Sequence, residues 1–286
     1  MKYAIEKVSG HLREQKGDGR RTLSQKNMKV VILAGGYGTR ISEESMYKPK
    51  PMIEIGEMPV LWHIMKEYSY YGFHEFIICA GYKQHVIKEW FADYYLHHTD
   101  VTFELKNNHM TVHSNYSDDW TVTVVDTGLS TMTGGRIRRV RKYIGEQPFL
   151  LTYGDGLCDV DMNQVLRFHQ EQKKLATITA IQPGGRFGSL VINNYRIEHF
   201  AEKKKEDGGW INGGYMVLEP SVIDYIADDS TTFEKEPLEQ LSREGQLVAF
   251  KHKGFWQCMD TMKDKMYLEE LITSKKAPWM AWGGEI

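Results

Sequence analysis

Residues Val30 to Arg40 read VVILAGGYGTR, and KPKPM follows at Lys48, Pro49, Lys50, Pro51 and Met52. A short β-branched run passes directly into a turn holding Gly35, Gly36 and Gly38, followed by Arg40 and then Lys48 and Lys50. This is the pattern of a buried strand that ends in a backbone cradle. Glycines admit positive φ and close approach of another molecule, so successive N–H groups can converge on phosphate oxygens. Arg40 and Lys50 add full charges that neutral amides lack. The spacing excludes two familiar loops. G-x-x-x-x-G-K-[ST] fails from Gly35 and from Gly36, while G-x-G-x-x-G begins at Gly36 but meets Ile41 at its third glycine position. A plain β-to-α turn has no need of these cations beside these glycines.

Working outward, 286 residues with 41% apolar content suffice for one large α/β domain. A formal net charge of −2 provides no global basic field, so anion binding has to be local and no nucleic-acid partner is expected. The 3 cysteines, Cys79, Cys158 and Cys258, lie far apart without C-x-x-C spacing, which suits reduced thiols in a cytoplasmic protein. Cys79 falls in the apolar run FIICAG and reads as core. No apolar stretch approaches the roughly 18 residues of a membrane span, so no membrane partner is expected. Residues 1–27 carry seven Lys/Arg against three Asp/Glu and read as a flexible extension ahead of Met28. The remainder, 28–286, reads as a single domain in two parts, 28–156 and 157–286.

From Met28 the pattern alternates strand and helix. MKVVILA is a strand, Pro59 to Gly72 a helix with proline at N1, and FHEFIICAG a second strand. KQHVIKEWFADYYLHH is a second helix, with Val86, Ile87, Trp90, Phe91 and Tyr94 on one face. Residues 101–126 read as β-hairpins (VTFEL, HMTVHS, WTVTVVD), RIRRVRKYI as one short basic helix, and FLLTYGDG as a strand ending at a carboxylate. LATITAI, GSLVI, RIEHFAE and GWINGGYMVL form a β-rich stretch, followed by helices at SVIDYIAD, EPLEQLSREG and DTMKDKMYLEELITS. The repeated β-α units predict an α/β fold: a mostly parallel, Rossmann-like sheet with helices on both faces and a β-rich subregion. In such sheets ligands sit beyond the carboxyl ends of the strands, where LAGG and TYGD both terminate.

Asp155, in YGDG, follows an apolar strand between two glycines and reads as a magnesium ligand; the bland reading is a D-G turn. Asp260, in FWQCMDT, is a second carboxylate at the end of an apolar-aromatic run, whose bland reading is a helix N-cap. VVDTGLSTMTGGRIRRVR reads as a nucleotide loop with Thr131 and Arg136 near the ligand, or as a water-facing helix in which Arg138, Arg139 and Arg141 are solvated. Asn212, Gly213 and Gly214 in WINGGYMVL offer backbone against which a pyranose can pack.

L-A-G-G-x-G-T-R with K-P-K-P behind it resembles the signature of the sugar-nucleotide pyrophosphorylases, nucleotidyltransferases that act on sugar 1-phosphates. LAGGYGTR, KPKPM, DTG…MTGGR, TYGDG, FAEK, INGGYMVLEPSVID and GFWQCMDT occur in that order and span almost all of residues 28–282. Together they are most similar to the branch that uses CTP and glucose 1-phosphate; a thymidylyl- or uridylyltransferase is the nearest alternative. The resemblance implies Mg²⁺ between Asp155 and Asp260. It also implies a nucleotide site of Leu33, Ala34, Gly35, Gly36, Tyr37, Gly38, Thr39, Arg40, Lys50, Thr131, Arg136 and Gly154, with Arg40, Lys50 and Asp155 catalytic. On the sugar-phosphate side it implies Gly188, Glu202, Lys203, Asn212, Gly213 and Gly214, with Glu202 meeting sugar hydroxyls and Lys203 the phosphate. Lys204 stands where the family's E-K-P element has proline, and three consecutive lysines also suit a solvated turn. A homo-oligomer feeding cell-surface polysaccharide synthesis is implied in the same way. A nicotinamide dehydrogenase leaves the Lys/Arg richness unexplained. A decayed binding module is expected to have lost Asp155 and Asp260.

Overall fold

A computed structural model describes residues 28–97, 99–113, 118–182, 189–201 and 209–283. Residues 1–27, Gly188, Glu202 and Lys203 lie outside the described residues. The strands are β1 (Lys29–Ala34), β2 (Glu54–Ile55), β3 (Met58–Pro59), β4 (Glu75–Ala80), β5 (Val101–Glu104), β6 (His109–Val112), β7 (Thr121–Asp126) and β8 (Phe149–Tyr153). They continue with β9 (Gly156–Cys158), β10 (Ala176–Ile181), β11 (Ser189–Asn193), β12 (Arg196–Ala201), β13 (Ile211–Leu218), β14 (Leu247–Lys251) and β15 (Trp256–Cys258). The helices are α1 (Ser42–Ser45), α2 (Val60–Tyr70), α3 (Gln84–Ala92), α4 (Thr133–Arg139), α5 (Arg141–Ile144), α6 (Met162–Gln172), α7 (Glu236–Arg243) and α8 (Met262–Thr273).

β1 is central because it is apolar on both sides. Val30, Ile32 and Ala34 pack into one layer with α2, α6 and α8, and Val31 and Leu33 into the other with α4, α5 and α7. Successive strand residues point to opposite faces, so a doubly covered strand has no polar break. A nine-stranded sheet runs in the order β11-β12-β14-β10-β13-β8-β1-β4-β7. All its strands except β12 and β13 point the same way. β8 is the seam, parallel to β1 on one side and antiparallel to β13 on the other. The carboxyl ends of β1 and β8 therefore emerge side by side.

Several local expectations are corrected. WTVTVVD is not part of a hairpin: β7 pairs in parallel with β4, from Glu75 opposite Thr121 to Ala80 opposite Asp126. Alternation of polar and apolar residues serves an edge strand as well as a hairpin, and the intervening chain supplies the crossover. VTFEL and HMTV do form the antiparallel β5–β6 hairpin. RIRRVRKYI is two short helices, α4 and α5, broken at Val140, and α4 begins earlier, at Thr133. Pro59 is the N-cap of α2 rather than N1, because its extended backbone also closes β3. α3 stops at Ala92 before a 3-10 turn, and of its apolar face only Ile87 is fully buried. SVIDYIAD forms a 3-10 turn at Pro220–Tyr225 rather than an α-helix.

Candidate active site

The chain leaves β1 into the glycine turn at the floor of a cleft of about 450 Å³. Gly38 takes a φ of +66°, which turns the backbone into the 3-10 turn Thr39–Ile41. Gly36 has no neighbour where a Cβ would stand and faces open space, whereas a Cβ on Gly35 would lie 2.0 Å from the Arg136 guanidinium. KPKP folds as a second 3-10 turn, Lys50–Met52, with Pro49 as its N-cap and a Met52 N–H to Pro49 carbonyl bond of 2.8 Å. This turn separates the two lysines. Lys50 is buried and points inward, while Lys48 pairs with Glu54 at 2.8 Å outside the cleft lining.

At the end of β8, Gly154 lies against Pro51, where a Cβ would come within 2.8 Å of Pro51 Cγ. That close approach puts Asp155 beside Lys50, with Nζ 2.6 Å from Asp155 Oδ2. Asp260 reaches the same point by another route. β9 pairs antiparallel with β15, Gly156 opposite Cys258, and the Met259 N–H donates to the Asp155 carbonyl at 2.8 Å. Asp260 Oδ1 then lies 2.6 Å from Lys50 Nζ, and its Oδ2 accepts from Arg40 Nη1 at 2.6 Å. Asp260 does not cap α8. Thr261 is the N-cap, in a capping box with Asp264, which leaves the Asp260 carboxylate free to face the cations.

Burial opposes the charge on Lys50, but Asp155 and Asp260 outweigh it and hold the ammonium above its usual pKa. Burial likewise opposes the charge on Asp260, yet Lys50 and Arg40 draw its pKa below the ordinary carboxylate value. Lys50 and Asp260 are therefore both ionised at neutral pH. Two carboxylates converging on one cation, beside a cleft with room for phosphate oxygens, are a donor set suited to a hard divalent metal. Cys258 donates to Asp260 Oδ2 at 3.4 Å, and burial followed by the Asp260 charge pushes its thiol pKa well up, so the thiol stays protonated.

Every residue expected at the nucleotide site lines the cleft: Leu33, Ala34, Gly35, Gly36, Tyr37, Gly38, Thr39, Arg40, Lys50, Thr131, Arg136 and Gly154, together with Asp155. Arg136 differs from the expectation in what its donors do. Its guanidinium is buried and donates to Thr127 Oγ1 at 2.7 Å and to the carbonyls of Gly128 at 2.8 Å and Gly35 at 3.1 Å. It thus ties the glycine turn to the loop after β7. Burial lowers its pKa from the arginine norm.

Gly213 and Gly214, expected on the sugar side, sit on β13. Gly214, at a φ of +85°, lies flat on the Tyr153 ring, where a Cβ would come within 2.5 Å of Cδ2. Asn212 steadies that bend by accepting from the Gly214 N–H at 2.8 Å and reaches the Tyr153 hydroxyl at 3.5 Å. Sequence reasoning missed the next residue in this chain, Glu234. One of its oxygens accepts from Tyr153 and the other from Thr133, both at 2.5 Å, and both of those residues line the cleft. Tyr153 stands in the quoted TYGDG, so its place was legible, whereas nothing in TTFEKEP marked Glu234.

Residues 29–273 match the Nucleotidyl transferase family. The chain belongs to the nucleotidyl transferase family. Within it, the chain is 56% identical over 256 residues to the glucose-1-phosphate cytidylyltransferases of Salmonella typhimurium and Salmonella typhi, covering 89% of this chain and 100% of each of those. It also resembles the crystal structure of HddC from Yersinia pseudotuberculosis, with a TM-score of 0.68 at 26% identity, over 85% of this chain and 98% of that one. No helix among the described residues is long and apolar enough to cross a membrane.

Proposed function

We infer that this nucleotidyl transferase moves a cytidylyl group from CTP to α-D-glucose 1-phosphate, giving CDP-glucose and pyrophosphate. The observation that carries the chemistry is the convergence of Lys50, Arg40, Asp155 and Asp260 at the end of the glycine cleft. The choice of CTP and glucose rests on the 56% identity to the Salmonella enzymes.

A sugar 1-phosphate has its second pKa near ~6 and is already a dianion at pH 7, so its oxygen attacks the α-phosphorus without a general base. Catalysis then reduces to positioning and charge. The open backbone at Gly36 and the Arg40 guanidinium receive the departing pyrophosphate, and Lys50 neutralises charge at the α-phosphate. Arg136 keeps the cleft walls in register through the carbonyls it binds. Asp155 and Asp260 are proposed to hold Mg²⁺, which when bound supplies the divalent charge that stabilises the phosphates in the transition state. Glu202 is proposed to meet the sugar hydroxyls and Lys203 the sugar phosphate. We place residues 28–286 in one catalytic domain, and a homo-oligomer belongs to the same proposal; a monomer mass by light scattering would overturn it.

The test is pyrophosphate release with glucose 1-phosphate and Mg²⁺, comparing CTP, UTP, dTTP, ATP and GTP in parallel. CTP is expected to be preferred. Preference for UTP or dTTP sinks the cytidylyl assignment and leaves the reaction class standing.

The Tyr153–Glu234–Thr133 chain predicts a smaller effect. Tyr153→Phe removes the hydroxyl that Glu234 and Asn212 share, so the sugar-side wall loosens. The KM for glucose 1-phosphate is expected to rise by roughly tenfold, about 1.4 kcal/mol, with that for CTP nearly unchanged. Equal rises in both would show that the tyrosine hydroxyl serves the whole cleft.

A further inference from the structure

At the end of the β9–β15 ribbon opposite Asp155 and Asp260 lies a second constellation of ligating side chains. Trp256 stands opposite Cys158 there, just as Cys258 stands opposite Gly156 at the active-site end. Cys158 Sγ, an Asp159 carboxylate oxygen and a His252 ring nitrogen all lie within 4.8 Å of one another. His252 arrives from the turn after β14, anchored by its N–H to the Ala180 carbonyl at 2.9 Å, and its Nε2 already meets Asp159 Oδ1 at 2.8 Å. Gly254 closes over the pair, where a Cβ would lie 2.3 Å from Asp159 Oδ1 and 2.7 Å from His252 Cε1.

Glu67 of α2 supplies a second, independent observation. Its Oε2 meets the Tyr215 hydroxyl at 2.9 Å, and that hydroxyl lies 2.9 Å from the Gly156 carbonyl. Oε1 is fully buried with no hydrogen-bond partner. Burial, then the Tyr215 contact and the nearby Asp159 charge, set the Glu67 pKa, and burial prevails to raise it well above the carboxylate range. Glu67 in turn raises that of Cys158, after burial itself, so its carboxyl group flanks the cluster. An orphan buried oxygen calls for a partner.

We propose that Cys158, Asp159 and His252 bind one divalent transition metal of the zinc class, with a water as the fourth ligand. Sulfur, imidazole and carboxylate together suit Zn²⁺ or Co²⁺, whereas a thiolate disfavours Mg²⁺. On binding, Cys158 releases its thiol proton to solvent, and the neutral imidazole ligates through Nε2 with its single proton on Nδ1. The ion takes the place of the direct contact between His252 Nε2 and Asp159 Oδ1. It clips the far end of the ribbon whose near end sets the spacing of Asp155 and Asp260, and so stiffens the catalytic pair without touching substrate.

The test is titration of the full-length, metal-stripped chain with Co²⁺ in the absence of nucleotide, for wild type and Cys258→Ala. Both are expected to bind one equivalent, with a thiolate-to-cobalt charge-transfer band and intense visible bands of a four-coordinate ion, which Zn²⁺ then bleaches. Cys158→Ser is expected to lose the charge-transfer band and at least ~10²-fold in affinity, while Asp155→Asn retains both. The site is overturned if the charge-transfer band is absent from wild type, or if it disappears in Cys258→Ala, which would assign the thiolate to the active-site end.

Discussion

Lys50→Ala is expected to lower kcat/KM for CTP by on the order of 10²-fold, while Lys48→Ala stays within about tenfold of wild type under the same CTP and Mg²⁺. The 3-10 turn at Lys50–Met52 is the reason for the contrast. Lys50 is buried between two carboxylates at 2.6 Å each, so alanine removes the cation that bridges them and leaves two negative charges facing one another. Leaving part of a buried ion pair uncompensated typically costs about 3–5 kcal/mol, so the melting temperature of the apo-enzyme is expected to fall as well. Lys48 makes one ion pair with Glu54, whose side chain is 52% exposed, and such pairs are worth about 0–1 kcal/mol. Arg40→Lys is expected to fail to restore activity, because one ammonium cannot contact Asp260 and two phosphate oxygens as a guanidinium fork does. A dead Lys48 variant beside an active Lys50 variant would move the catalytic lysine by two residues. Full activity in both would reduce KPKP to a charged loop.

Asp155→Asn and Asp260→Asn are each expected to reduce turnover by at least ~10²-fold, since each loses a charged metal ligand whose stabilisation is worth several kcal/mol. Their stabilities are expected to differ. Asp155 is the more exposed of the two and, among the described residues, pairs with Lys50 alone, so its amide variant should melt close to wild type. Asp260 is buried and answers both Arg40 and Lys50, so Asp260→Asn should melt lower. Kinetics at saturating Mg²⁺ and thermal melts of both variants provide the check. Near-wild-type turnover in either variant removes that residue from the metal site.

Much of the cleft was legible because its parts are local. VVILA is apolar at every position and so had to be a doubly covered strand, and three glycines with Arg40 behind them had to make a turn that approaches a ligand. TYGDG likewise placed Asp155 at a strand end. The residues that were misread depend on partners remote in the chain. WTVTVVD carries an alternation that an edge strand and a hairpin share, and only pairing with β4 distinguishes them. The place of Arg136 in the cleft was legible, but sequence does not display the carbonyls of Gly35 and Gly128 to which it also donates.

By itself, then, the sequence determined the strand that opens the fold, the glycine turn, the cations near it and the two carboxylates. Tertiary structure alone decided which lysine turns inward, that Asp155 and Asp260 meet on it, and that Glu234 ties together Tyr153 and Thr133 of the cleft wall. The physical reason is range. Propensity, periodicity and glycine conformation act over a few residues, whereas the Asp155–Asp260 site is assembled by the β9–β15 ladder and by Gly154 packing on Pro51, contacts that exist only once the sheet has formed.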